Sequence, residues 1–194
     1  MNNALVVIDV QESFRQLPDW EFVSQPDIVG QVNRLVTAAR DQGDLVVWVL
    51  GSRPGSGTAF DPALGHVRLM DGLEPHPGEP LITKTAHNAF TTTNLHQILT
   101  SRGIRQLTVC GIRTEQCCET TTRIASDLGF DVVFATDATA TTPIPHRDAR
   151  QDLPFARLVS DPRTLGVAEI VARTKYALAG RFAAIRTVDE LVGA

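Results

Sequence analysis

The run ALVVID at residues 4–9 decides how the rest of the chain is read. It is short, continuously apolar and rich in β-branched residues, the pattern of a strand covered on both faces, as in a parallel sheet. Working outward, residues 26–40 place Ile28, Val32, Leu35, Val36 and Ala39 at helical spacing, and Gly43 ends that helix. Strands follow at 45–50, 81–83, 106–110, 131–136 and 182–185, with helices over 93–102, from the cysteine pair to Leu128, over 164–178 and at 188–192. Strands separated by helices with short connections demand parallel pairing and right-handed crossovers. We therefore expect an α/β chain, a three-layer doubly wound fold with a six-stranded parallel sheet in the order 3-2-1-4-5-6.

Composition narrows the function before any motif does. The 194 residues suit one domain with a substantial core, and no repeat, low-complexity tract or linker divides residues 1–194. A net charge of -4 without a dense Lys/Arg run argues against nucleic acid as a partner, since phosphate neutralisation needs a concentrated basic patch. No window has the apolar length of a membrane span. Three cysteines do not make the framework of a small secreted protein, and no charged segment followed by a long apolar one opens the chain, so a cytoplasmic location is expected. The segments 51–80 and 138–162 are long for connections in such a domain, and loops of that length are usually functional or mobile.

Polar residues at the strand ends carry the chemistry. Asp9 ends the first strand, and in open α/β sheets ligands bind beyond the carboxyl ends of strands. It either points into the site or caps a turn. Lys84 stands at another carboxyl end, where an ordinary solvated lysine is the plain alternative. In GIRTEQCCETTTRIASDLG, residues 111–129, Thr114 as N-cap makes Cys117 the third helical residue, where free N–H groups and the helix dipole favour a thiolate. Cys117 shares a face with Thr121, Ile124 and Leu128, toward the sheet, and Cys118 is turned about 100° away. The alternative is that both cysteines are small buried residues. Together the three groups complement one another: Asp9 takes the thiol proton, Lys84 stabilises the thiolate, and N–H groups at the helix start bind an oxyanion.

These residues also carry a family likeness. ALVVIDVQESF at 4–14, ITKTAHNAFTTTNL at 82–95 and TVCGIRTEQCCETTTRIASDLGFDVVFATDA at 108–138 resemble the isochorismatase-like cysteine hydrolase superfamily, which includes nicotinamidases, N-carbamoyl amidohydrolases and ureidoacrylate hydrolases. The resemblance implies Asp9, Lys84 and Cys117 as a catalytic triad with Cys117 as nucleophile, and Cys118 where a small apolar residue usually stands. It implies a non-proline cis peptide between Ile112 and Arg113, aiming the N–H groups of Arg113 and Cys117 at the oxyanion. It further implies hydrolysis of a carbon–nitrogen bond in a small amide, carbamoyl or ureido compound through a thioester, by a homodimer or homotetramer. The alternatives are vinyl ether cleavage of the isochorismatase type, which the cysteine disfavours, and a non-catalytic oligomeric binding protein.

Departures from the family bear on the substrate. Nicotinamidases carry an Asp-x-His-x-x-x-His type of metal site after the second strand, whereas this chain reads WVLGSRPGSGTAF at 48–60, without histidine. His66, His76, His87 and His96 are dispersed, so neither metal nor cofactor is expected. His87, Phe14, Phe90 and Arg113 are the candidate substrate-binding residues. Phe14 and Phe90 offer apolar walls or plain packing. Arg113 replaces the small residue often found in its turn, and either stays solvated or selects a substrate carboxylate.

Overall fold

The run at 4–9 becomes the inner strand β1, Asn3–Ile8, whose last five residues are buried. The computed structural model describes residues 2–150 and 152–193. β1 pairs in parallel with β2, Leu45–Gly51, on one side and with β4, Gln106–Ile112, on the other. β3, Leu81–Lys84, adds beyond β2; β5, Asp131–Ala140, and β6, Ala184–Arg186, add beyond β4. The six-stranded sheet has the order β3-β2-β1-β4-β5-β6 and is parallel throughout, as expected from the alternation of strands and helices.

Side chains alternate across such a sheet, so its two faces are built from neighbouring residues of the same strands. Val6, Ile8, Val47, Val49, Leu107, Val109 and Phe134 share one core with residues of α2, Leu95–Thr100, α3, Glu119–Asp127, and α5, Val167–Leu178. Leu5, Val7, Val46, Trp48, Cys110 and Ile112 share the other with α1, Ile28–Asp41, and α6, Val188–Val192. The five apolar positions read from the sequence of α1 are its five buried residues.

The differences from the sequence reading sit where no period operates. The loop 138–162 contains a short helix, α4, Phe155–Val159, and β5 continues through Ala140, four residues beyond the expected end. The helix expected over 93–102 contracts to α2. Among the described residues no helix is long and apolar enough to cross a membrane.

Candidate active site

β1 stops because Asp9 leaves the extended conformation: its φ is 55°, the left-handed region that few residues other than glycine, asparagine and aspartate tolerate. This turn sends the Asp9 carboxylate across the carboxyl end of β1. Gln11, wholly buried, pairs with the end of β2, donating from Nε2 to the Gly51 carbonyl at 3.0 Å and accepting from the Gly51 amide at 2.7 Å. Gly51 therefore sits against Asp9, and a Cβ there would lie 3.3 Å from Asp9 Oδ1.

Lys84, the last residue of β3, is 2 % exposed and reaches Asp9 Oδ2 at 2.7 Å. The same ammonium donates to the Ala86 carbonyl at 3.1 Å and to Cys117 Sγ at 3.4 Å. The three residues singled out at separate strand ends thus meet around one nitrogen.

The turn that carries Cys117 is built differently from the sequence reading. Residues Thr114–Cys118 form a π-helical turn capped by Arg113, not an α-helical start capped by Thr114, so Cys117 is the fourth residue of the turn. Thr114 is buried and donates to Thr139 Oγ1 at 2.9 Å, tying the turn to β5. The widened turn brings the amides of both Gln116 and Cys118 onto the Arg113 carbonyl, each at 3.2 Å, on either side of Cys117. Just before it, the Ile112–Arg113 peptide is cis. Gly111 makes the approach possible: its φ is 129°, and a Cβ would meet the Ile8 carbonyl oxygen at 1.9 Å. The Gly-x-x-Thr-x-x-Cys pattern is therefore a backbone contact with β1, an anchor to β5 and a sulfur, in that order. The face assigned to Cys117 holds for Thr121, which is buried, but Leu128 lies beyond the end of α3 and is 46 % exposed.

Burial dominates the electrostatics. It pushes the Cys117 thiol up to about 12, with the negative charge of Asp9 adding to the rise and Lys84 opposing it. Burial thus favours the thiol, in opposition to the thiolate-stabilising effects of Lys84 and of the helix start. Burial also raises Asp9 above the ordinary carboxylate range, opposed first by the Lys84 ammonium. Asp9 Oδ1 is buried with no hydrogen-bond partner. Burial works against the charge of Lys84, but Asp9 and Cys117 together, through charge and hydrogen bonds, outweigh it and the ammonium is held above its usual range. The result is a cation, a carboxylate made more basic and a protonated sulfur.

A cavity of about 390 Å³ opens over this group and is lined by Asp9, Lys84 and Cys117 together with Phe14, His87 and Arg113. Phe90 is absent from it: the ring is buried in the core and stacks on Phe130 with centroids 6.2 Å apart, because the loop after β3 turns it inward. Arg113 is neither solvated nor free. Its guanidinium donates to Asp19 Oδ2 at 2.6 Å and to Thr142 Oγ1, and lies over the Phe14 ring, 5.6 Å from its centroid. The cavity also takes in Arg53, Thr58 and Phe60 from the 51–80 segment, which the sequence marked only as a long loop. The partners of Gln11 and Asp19 are remote in sequence, so no local pattern signalled either residue.

The segment after β2 does not fit a metal. Residues 52–61 offer Ser52, Arg53, Thr58 and Phe60 to the cavity, and their one carboxylate, Asp61, accepts from the amides of Gly57 and Ala63. Among the described residues no group of three His, Cys, Asp or Glu side chains could hold a metal ion.

With this geometry in hand, comparison with known proteins is informative. Residues 3–159 match the family model described as the isochorismatase domain. A streptothricin hydrolase from Streptomyces noursei is 35% identical over 183 residues, which cover 93% of this chain and 71% of that protein. A crystal structure of an isochorismatase from Pseudomonas putida superposes with a TM-score of 0.82 at 29% identity, covering 97% of this chain and 89% of that one. An isochorismatase-family structure from Chromobacterium violaceum shares the fold, with a TM-score of 0.85 at 24% identity over 100% and 93% of the two chains. The chain belongs to the isochorismatase family and is a hydrolase of that family.

Proposed function

We propose that the protein is a cysteine-dependent hydrolase that cleaves a carbon–nitrogen bond in a small amide, carbamoyl or ureido compound through a thioester. The observation that carries this reading is the single Lys84 nitrogen that contacts both Asp9 and Cys117 at the floor of the cavity. The likeness to a streptothricin hydrolase puts that compound among the substrates to be tried.

The chemistry follows from the protonation states. Since the sulfur rests as a thiol, attack and deprotonation proceed together: Cys117 Sγ bonds to the substrate carbon while its proton passes to Asp9, whose raised basicity suits it to the task. The carbonyl electron pair moves to oxygen, where the N–H groups of Arg113 and Cys117 receive the oxyanion. Collapse of the adduct breaks the carbon–nitrogen bond, and Asp9 returns its proton to the departing nitrogen. Water, deprotonated by Asp9, then adds to the thioester. Collapse of this second adduct breaks the carbon–sulfur bond, and the sulfur regains its proton. Lys84 stays an ammonium throughout and lowers the energy of each state with negative charge on Asp9 or sulfur.

The test is a panel of small amides, carbamoyl and ureido compounds and streptothricin, followed by mass spectrometry for products one water heavier or split at nitrogen. Wild type should hydrolyse at least one class and Cys117→Ala none, and a mass-trapped acyl adduct on the Cys117 peptide should accompany turnover. Equal turnover by Cys117→Ala would overturn the nucleophile. Cleavage of a vinyl ether that survives Cys117→Ala would favour the isochorismatase reaction.

A further inference from the structure

The cavity holds two arginines over two phenylalanines, and only one of them is neutralised. Arg113 lies over Phe14 and is paired with Asp19 at 2.6 Å. Arg53 lies over Phe60, 5.8 Å from the centroid, and among the described residues no carboxylate stands within ion-pair distance of it. The two rings meet edge to face, with centroids 5.0 Å apart, so both guanidinium groups belong to one wall.

The backbone of Arg53 is placed by the fold, and its side chain is exposed along the cavity lining. Its amide donates to the Phe60 carbonyl at 2.8 Å, closing the loop upon itself. Within that loop Asp61, buried, accepts from Gly57 at 2.9 Å and from Ala63 at 3.2 Å, which fixes the path of residues 53–61. Asp61 thereby spends its charge on backbone amides, which hold its carboxyl below the usual carboxylate range. The acid nearest to Arg53 in the loop is occupied elsewhere.

The charges of the cavity lining can then be paired off. Asp9 cancels Lys84, Asp19 cancels Arg113, and the lining retains the guanidinium of Arg53, with His87 adding a second positive charge when protonated. A cation held on an aromatic face keeps its N–H edges free for a planar anion, the geometry that suits a carboxylate.

We infer that Arg53 is a specificity-determining residue that binds a carboxylate at the end of the substrate remote from the carbon attacked by Cys117. This rests on the hydrolase reading above for what happens at the sulfur, but not for the binding of the anion. The substrate class becomes an N-carbamoyl, ureido or amide compound that carries a carboxylate, with the Phe14–Phe60 wall against its carbon chain.

The experiment compares N-carbamoyl amino acids with their methyl esters, which lack that charge. Binding is measured by titration calorimetry to Cys117→Ala protein, with and without Arg53→Gln, and kcat/KM is measured with Cys117 in place. The acid should bind roughly tenfold tighter than the ester, the scale of one charge-assisted hydrogen bond. Arg53→Gln should erase that ratio through binding, Arg53→Lys should keep only part of it because the charge remains without the planar fork, and added salt should shrink it in the parent protein. An acid-to-ester ratio near one, or a ratio untouched by Arg53→Gln, overturns the proposal. Preferential binding of the acid without turnover would uphold the anion site and remove the hydrolase reading, whereas turnover of acid and ester alike would do the reverse.

Discussion

Glu79 and Asp9 are both carboxylates with side chains largely withdrawn from water, 11% and 2% exposed, and each is paired with one cation, yet the fold leaves them in opposite states. Glu79 is surrounded by donors: Arg40 Nε at 2.7 Å and Nη2 at 3.0 Å, Trp48 Nε1 at 2.7 Å and the His76 amide at 2.9 Å. Burial works against its charge, but these bonds outweigh it and hold its carboxyl below the usual range. Asp9 has Lys84 on one oxygen, no geometrically complete hydrogen bond on the other and the Cys117 thiol beside it, and burial raises it. A satisfied carboxylate locks α1 to the strand β2. An incompletely satisfied one keeps acceptor capacity in the cavity, which is what the proposed general base requires and a structural acid does not.

The sharpest way to break this comparison is to neutralise Asp9. Asp9→Asn keeps the size of the side chain and an oxygen for Lys84 but cannot take the thiol proton. Activity on whichever substrate the panel identifies should fall roughly 10²–10⁴-fold, the usual contribution of a general base. The acid limb of the wild-type pH–rate profile should disappear with it. That limb should lie above ordinary carboxylate values in the wild type, because the raised Asp9 must lose its proton before it can act. A variant with near-normal turnover would return Asp9 to the turn-capping role open to it in the sequence.

Glu79→Gln tests the other half of the comparison and should move stability instead. It leaves the Arg40 guanidinium, 26% exposed, without its anion, at a cost of about 2–3 kcal/mol, less than a fully buried pair because water reaches the arginine. The pH dependence has a definite sign. Glu79 is depressed in the folded state, so its contribution is fully present above the unfolded value near 4.5 and is lost as pH falls through the lower folded value. Urea unfolding of the wild type should weaken over that window, and the Gln variant should weaken less. Turnover per folded molecule should match wild type, since Glu79 does not line the cavity.

The same contrast explains what was legible in the sequence. The five inward positions of α1, the run that became β1 and the terminal helix at 188–192 were readable because burial imposes a period, and a period is local. Asp9, Lys84 and Cys117 were readable as strand-end residues because the topology sends all such ends to one edge. The neutralisation of Arg113 was not, because its partner Asp19 is 94 residues away, and no local pattern announces that pairing. For Phe90, read as apolar wall or plain packing, the choice was also non-local: Phe130, across the fold, draws the ring into the core. The π-helical turn escaped because its composition is that of an ordinary helix start, and what widens it is contact with β1 through Gly111 and with β5 through Thr114.

The smallest effect should come from the neighbour of Cys117. Cys118 is wholly buried, and its thiol is raised well above the usual value by burial, so it has neither access nor charge to compete with Cys117. Cys118→Ala removes one sulfur from a packed core and should cost about 1 kcal/mol, with most of the activity retained. Alkylation sharpens the distinction within one molecule. With its thiol pushed up to about 12, Cys117 should react slowly with iodoacetamide at neutral pH and faster as the pH rises, while Cys118 stays unmodified until the protein unfolds. Peptide mapping after partial alkylation reads both at once. Modification of Cys118 ahead of Cys117 in the native protein would mean that the sulfur facing the cavity has been assigned to the wrong residue.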